Sequence, residues 1–226
     1  MNDLTLLYCT ASLIPEFTAG RIRSHLLKVT RGKYPIVSVS QKPLSFGQNI
    51  CVGKIGQSNY NFFKQMLIGA KKVKTKYIAC IDDDTLYIPE HFTHRPSKEN
   101  VFTYNTNVWF AGSKIFWRQK DMSGMSCHIC PTKALINNLI PRFEMYPTPP
   151  KNQRHFGEPG KFDTEFGIPN VKVETFKTEL PLVTFEYRGS LNGKRKRFGL
   201  KDPNSYTDNL EPFGNAIMLR REYWNE

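Results

Sequence analysis

The sequence has no apolar run long enough to cross a bilayer. Its most apolar stretches, such as Tyr77-Ile78-Ala79-Cys80-Ile81, are a few residues long, against the roughly 20 that a spanning helix needs. The chain opens Met-Asn-Asp and passes straight into a strand-like run, with no basic segment and no cleavage signature, so a cytoplasmic protein is expected. Its five cysteines are an odd number, and three of them sit in apolar strand-like runs, where a reduced thiol behaves as a small hydrophobe. Cys127 and Cys130 have the spacing of half a zinc knuckle or a redox motif, but no second pair completes a structural zinc site. No internal repeat or low-complexity tract is visible. Acidic residues are scarce beside 32 Lys and Arg: 20 Asp and Glu leave a net charge of +12. Such a charge attracts polyanions, whether nucleic acid, an anionic membrane or a nucleotide diphosphate.

What is present is a globular composition, 39% hydrophobic and 13% aromatic over 226 residues, enough for one α/β domain with a full core. Leu4 to Cys9 reads as a buried strand. Thr18 can cap a helix with Ile22, Leu26, Leu27 and Val29 on its apolar face, closed by Gly32. Pro35 to Ser40 is a second strand. Ser58 then caps a helix carrying Phe62, Phe63, Met66, Leu67 and Ala70, and Tyr77 to Ile81 is a third strand. This alternation predicts a single-domain, Rossmann-like α/β fold whose mostly parallel central sheet carries helices on both faces. Beyond Pro89 shorter strands are expected over Val101–Phe110, Ser113–Arg118 and Met125–Cys130, with a helix over Thr132–Ile140. Residues 141–170, rich in Pro and Gly, should be mostly loop, making the C-terminal third loop-rich. The single domain is expected to divide into two halves, 1–92 and 93–226.

Ligands of such sheets bind beyond the carboxyl ends of the strands, and the residues there are Thr10, Gln41 and Asp82. The last opens the triplet Asp82-Asp83-Asp84. Three adjacent like charges repel and require a compensating cation. A divalent ion shared between carboxylate and diphosphate meets that need, and hard oxygens suit Mn²⁺ or Mg²⁺. In an extended segment Asp82 and Asp84 share one side. Asp84 is therefore expected as the main metal ligand, Asp82 at the ribose or the metal, and Asp83 in a positioning role. A bare Asp-x-Asp is more often an acidic turn; its place after the third strand of an alternating unit favours the site.

The stretch Gly53–Tyr87, with Asp82-Asp83-Asp84 and then Pro89, resembles the donor half of family-two glycosyltransferases and related GT-A enzymes. The resemblance is clear over residues 3–92 and holds only in outline beyond. It implies a GT-A fold, a nucleotide-sugar donor with UDP-sugars foremost, Thr10 and Gln41 at the nucleoside, and Asp82 and Asp84 on the donor and metal motif. Many relatives add a late histidine ligand, and the corresponding segment Phe185-Glu186-Tyr187-Arg188-Gly189 has none. Either Glu186 takes that place, or Arg188 and Lys194 neutralise the diphosphate.

An inverting transfer needs a base, and the segment His155–Glu165 offers Glu158, Asp163 and Glu165. For the acceptor, Trp109, Trp117 and Arg118 form aromatic and basic surface that could stack a sugar or an extruded base. Arg195, Lys196 and Arg197, in a Gly-punctuated basic loop without acidic residues, read as phosphate contacts. Together these features are similar to bacteriophage enzymes that glycosylate 5-hydroxymethylpyrimidines in DNA, which makes DNA the expected acceptor and partner. The rival readings are transfer to a surface glycan, lipid-linked sugar or protein, a basic nucleic-acid-binding module without catalysis, and a nucleotidyltransferase. The last would want a Gly-rich basic loop directly after the first strand, where this chain has Ala11-Ser12-Leu13-Ile14-Pro15.

Overall fold

A computed structural model describes residues 2–118, 124–160, 163–168, 171–187 and 205–225. β1 (Leu4–Thr10) is buried along its whole length, the pattern of a parallel strand covered on both faces. α1 (Glu16–Thr30), β2 (Ile36–Ser40), β3 (Gln48–Cys51), α2 (Asn59–Ala70) and β4 (Tyr77–Asp82) follow. Next come β5 (Thr85–Leu86), β6 (Val101–Asn105), β7 (Val108–Ala111), β8 (Phe116–Trp117), β9 (His128–Pro131) and α3 (Thr132–Met145). β10 (Lys172–Phe176), β11 (Leu182–Phe185), β12 (Tyr206–Thr207), the β13–β14 hairpin (Asn209–Leu210 with Gly214–Asn215) and α4 (Ala216–Trp224) complete the described chain.

Among the described residues a seven-stranded sheet runs in the order β10-β6-β9-β4-β1-β2-β3. It is mostly parallel, since only β9 runs against its neighbours β4 and β6. A five-stranded sheet, β12-β8-β7-β11-β5, lies beyond it. α2 presses on one face of the central sheet so closely that a Cβ on Gly69 would stand 2.4 Å from a Leu7 methyl and 2.8 Å from a Val39 methyl. Tyr8 points the other way and meets Phe46 edge-on; the Phe46 ring also lies under the Arg23 guanidinium of α1. The expected α/β sheet with helices on both faces is thus present.

Several element boundaries differ from expectation for identifiable reasons. α1 starts at Glu16, before Thr18, which is buried inside the helix; Glu16 suits the positive end of the helix dipole. β3 escapes the sequence pattern because it is an edge strand whose four residues are exposed or half-buried. The run Val101–Phe110 is not continuous: Asn105 and Asn107 turn it by bonding Thr178 (Asn105 Nδ2 to its hydroxyl, 2.8 Å; Asn107 Nδ2 to its carbonyl, 3.0 Å), so β6 joins one sheet and β7 the other. α3 continues past Ile140 through Pro141 to Met145, accepting the loss of one backbone bond. The described residues among 146–168 hold only short 3-10 turns, as expected, and beyond residue 170 the described chain adds strands β10 and β11 and helix α4.

Candidate functional site

β4 ends at Asp82 and β5 begins at Thr85, so the acidic triplet spans the crossing between the two sheets. Cys9 lies beside Asp82 in register and Thr10 beside Ser40, which brings Thr10, Gln41 and the triplet to one carboxyl edge of the parallel strands. A cavity of about 310 Å³ opens there, lined by Asp82, Asp83 and Asp84. Each is held. The Asp82 N–H donates to the Tyr87 hydroxyl at 3.1 Å. Asp83 accepts from the Thr10 hydroxyl, whose oxygen accepts from the Ser12 N–H at 2.8 Å. Asp84 accepts from the Thr85 hydroxyl at 3.1 Å, and its carbonyl accepts from the Phe185 N–H at 2.8 Å.

Within the described residues the Arg23 guanidinium lowers Asp83 through space but forms no ion pair with it. No ion pair there involves any of the three carboxylates, and no Lys, Arg or His lines the cavity. Loss of hydration, together with the Asp83 charge, pushes the Asp82 carboxyl up to about 7. Desolvation raises Asp83 to about 6, against the opposing Thr10 hydrogen bond. Asp84 is held well above the usual carboxylate range by burial and by its two acidic neighbours. Tyr187, stacked on Trp224 at 5.2 Å, also lines the cavity, and burial with the same three charges raises its phenol. A bound divalent cation would relieve this repulsion. Among the described residues no three His, Cys, Asp or Glu side chains are grouped to hold a metal alone. Carboxylate oxygens suit a hard divalent ion, which would need further ligands from outside the protein here.

The rest of the wall is aromatic and amide. Phe62, Phe63, Phe110 and Phe156 line it, and Gln57, Ser58 and Asn59 enter from the start of α2. Ser58 caps that helix as expected, accepting from the Asn61 N–H at 3.1 Å. Gln41 does not line the cavity: its Oε1 accepts from the N–H groups of Ile55 and Gly56 at 3.1 and 3.0 Å, fixing the loop that carries Gln57. Thr10 likewise serves through Asp83, by its hydroxyl, and is itself buried. Sequence reasoning missed Gln65 and Tyr187. Gln65 is buried on α2 and donates to the Thr10 and Val39 carbonyls at 2.9 Å each, tying the ends of β1 and β2 beside the cavity it lines. Its signal was a lone amide on an apolar helix face. Glu186 does not line the cavity, and its carbonyl accepts from Arg220 at 2.8 Å.

Of the three candidate bases, Glu158 lines the cavity. Asp163 does not: it is buried in an ion pair with Arg142 at 2.5 Å and accepts from the Gly160 N–H at 2.8 Å, so it has no access to an acceptor. Glu165 is exposed and away from the cavity. The expected acceptor surface is also corrected. Trp117 is buried and stacked on Phe110 at 4.6 Å, and Trp109 is buried in the core of the second sheet with Arg118 4.9 Å above its ring. Neither indole is available to stack a ligand, because each fills core space. Arg188, Lys194, Arg195, Lys196 and Arg197 lie outside the described residues.

No protein-family model matches the chain, and no curated protein matches it in sequence. Among solved structures it is similar to a glycosyltransferase involved in the glycosylation of the major capsid of PBCV-1, at 11% identity, covering 81% of this chain and 92% of that one, TM-score 0.49. It is also similar to S. aureus TarS 1-349 in complex with UDP-GlcNAc, at 7% identity, over 86% of this chain and 62% of that one, TM-score 0.47. A third is the inositol-1-phosphate CTP transferase from T. maritima, at 9% identity, over 80% and 88%, TM-score 0.47. Likeness of this degree assigns no activity to the chain.

Proposed function

We propose that this protein is a glycosyltransferase that moves a sugar from a nucleotide-sugar donor to a hydroxyl acceptor with help from a divalent cation. The observation that carries the reading is the triplet Asp82-Asp83-Asp84, which has no ion pair among the described residues and lines a cavity at the carboxyl edge of the parallel strands. An acid-walled cavity repels a diphosphate unless a cation lies between them. Mn²⁺ or Mg²⁺, when bound, would take up charge on the departing diphosphate, and Asp82 and Asp84 would hold it. Asp83, fixed by Thr10, keeps the triplet in place. Glu158 accepts the proton of the acceptor hydroxyl as that oxygen attacks the anomeric carbon, and the sugar–diphosphate bond breaks with its electron pair leaving on the phosphate oxygen. The aromatic wall of Phe62, Phe63 and Phe110 gives a sugar ring apolar faces to lie against.

The finer reading of the acceptor is a 5-hydroxymethylpyrimidine in DNA. It is supported by the net charge of +12 and by the primary hydroxyl such a base presents. The buried tryptophans withdraw base stacking on Trp109 and Trp117 from that reading. The test is hydrolysis and transfer with a panel of nucleotide-sugars, UDP-sugars first, with and without Mn²⁺, in wild type and Asp84→Asn. Cation-dependent turnover that the variant loses while still folded supports the transferase. Turnover on none of the donors, or equal rates in both proteins, overturns it.

A further inference from the structure

The pair that removes Asp163 from the candidate bases has another consequence. Arg142 and Asp163 are both fully buried, with their charged ends 2.5 Å apart. A buried ion pair of this kind is seldom worth its desolvation, and apolar replacements of similar volume usually fold as well or better. Apart from Asn138 of α3, its partners lie in one short segment. The second guanidinium nitrogen, Nη1, donates to the Gly157 carbonyl at 2.7 Å. The second carboxylate oxygen, Oδ2, accepts from the Gly160 N–H at 2.8 Å and from Asn138 Nδ2 at 3.2 Å. Tyr104 donates its hydroxyl to the Pro159 carbonyl at 3.0 Å. The backbone is thus gripped at 157, 159 and 160, on both sides of Glu158, from α3, β6 and Asp163. Glu158 lines the cavity that holds the acidic triplet.

We infer that the Arg142–Asp163 pair is a positioning device for Glu158, fixing the turn by which Glu158 lines the same cavity as Asp82, Asp83 and Asp84. The inference rests on the proposed role of Glu158 for its kinetic consequences, and on geometry alone for the positioning. A turn rich in glycine and proline has few side-chain contacts of its own to hold a carboxylate to the tolerance that proton transfer needs. The two charges supply fixed, directional bonds where apolar packing would supply none.

The test replaces both charges at once, Arg142→Met with Asp163→Leu, so that neither is left buried and unpaired. The melting temperature is expected to equal or exceed that of wild type. The transfer kcat is expected to fall by about 10²-fold, the scale of a misplacement near 1 Å, with the donor KM unchanged. In a Glu158→Gln background the same double replacement should change kcat less than about twofold, because the group it positions is already gone. An unchanged kcat in the folded double variant, or an equal loss in both backgrounds, overturns the inference. A second measurement needs no turnover. The rate at which iodoacetamide alkylates Glu158→Cys, followed on its own peptide by mass spectrometry, should rise at least tenfold when the pair is replaced. An unchanged rate overturns the positioning role. If wild type turns over no donor while the alkylation contrast persists, the transferase reading fails and the positioning stands.

Discussion

At the level of single residues the molecule concentrates acid in one place within a chain of +12 charge. Asp82 and Asp83 bind protons more tightly in the native state, near about 7 and about 6, than at the ordinary carboxylate value of 3.8. Between those limits these two groups hold more protons in the native protein than in the unfolded chain, so their contribution to stability is greatest in acid and is lost as pH rises towards 7. The melting temperature in chelator should therefore drop from pH 5 to pH 7.5, and Asp82→Asn should flatten that drop. Mn²⁺ should restore melting temperature at pH 7.5 and do little at pH 5. A profile unaffected by Asp82→Asn would contradict the electrostatic account. Glu158→Gln should lower kcat for transfer by about 10²–10⁴-fold, the range for loss of a general base, with little effect on folding.

At the level of elements, packing sets tighter limits than propensity does. Gly69 lies in the last turn of α2, where alanine would ordinarily suit a helix better than glycine, yet its Cβ would enter Leu7 and Val39. Gly69→Ala should destabilise the protein by about 1–3 kcal/mol in denaturant unfolding, against the usual helical gain. Ser58→Ala, which removes the cap of the same helix, should cost about 1 kcal/mol. The first five large elements were legible because buried runs such as Leu4 to Cys9 and a capped apolar helix from Ser58 carry strong periodic signals. The acidic triplet was legible for the same reason, since it follows one of those strands. β3 was not, because an edge strand buries too little to need an apolar pattern. Trp109 and Trp117 were misplaced because an aromatic beside Lys or Arg in sequence says nothing of which face meets core. Asp163 resembled Glu158 in sequence and is set apart by its buried ion pair with Arg142, a residue distant along the chain.

At the scale of the whole molecule, the two sheets meet at Asp82–Thr85, so the cavity is made by the junction itself, with Thr184 of β11 and Phe110 of β7 forming one wall. The acidic triplet comes from the carboxyl edge of the first sheet and the facing wall from the second. If DNA is the acceptor, duplex affinity should fall steeply with salt, in proportion to the number of phosphates contacted; a slope near zero would favour a glycan, lipid-linked or protein acceptor. The most direct measurement of the central claim is calorimetric titration of UDP into the wild-type protein and into Asp84→Asn, each with Mn²⁺ and with chelator. A cation trapped between the triplet and the diphosphate predicts heat of binding only for wild type with Mn²⁺. Equal UDP affinity in chelator, or unchanged affinity in Asp84→Asn, would contradict it.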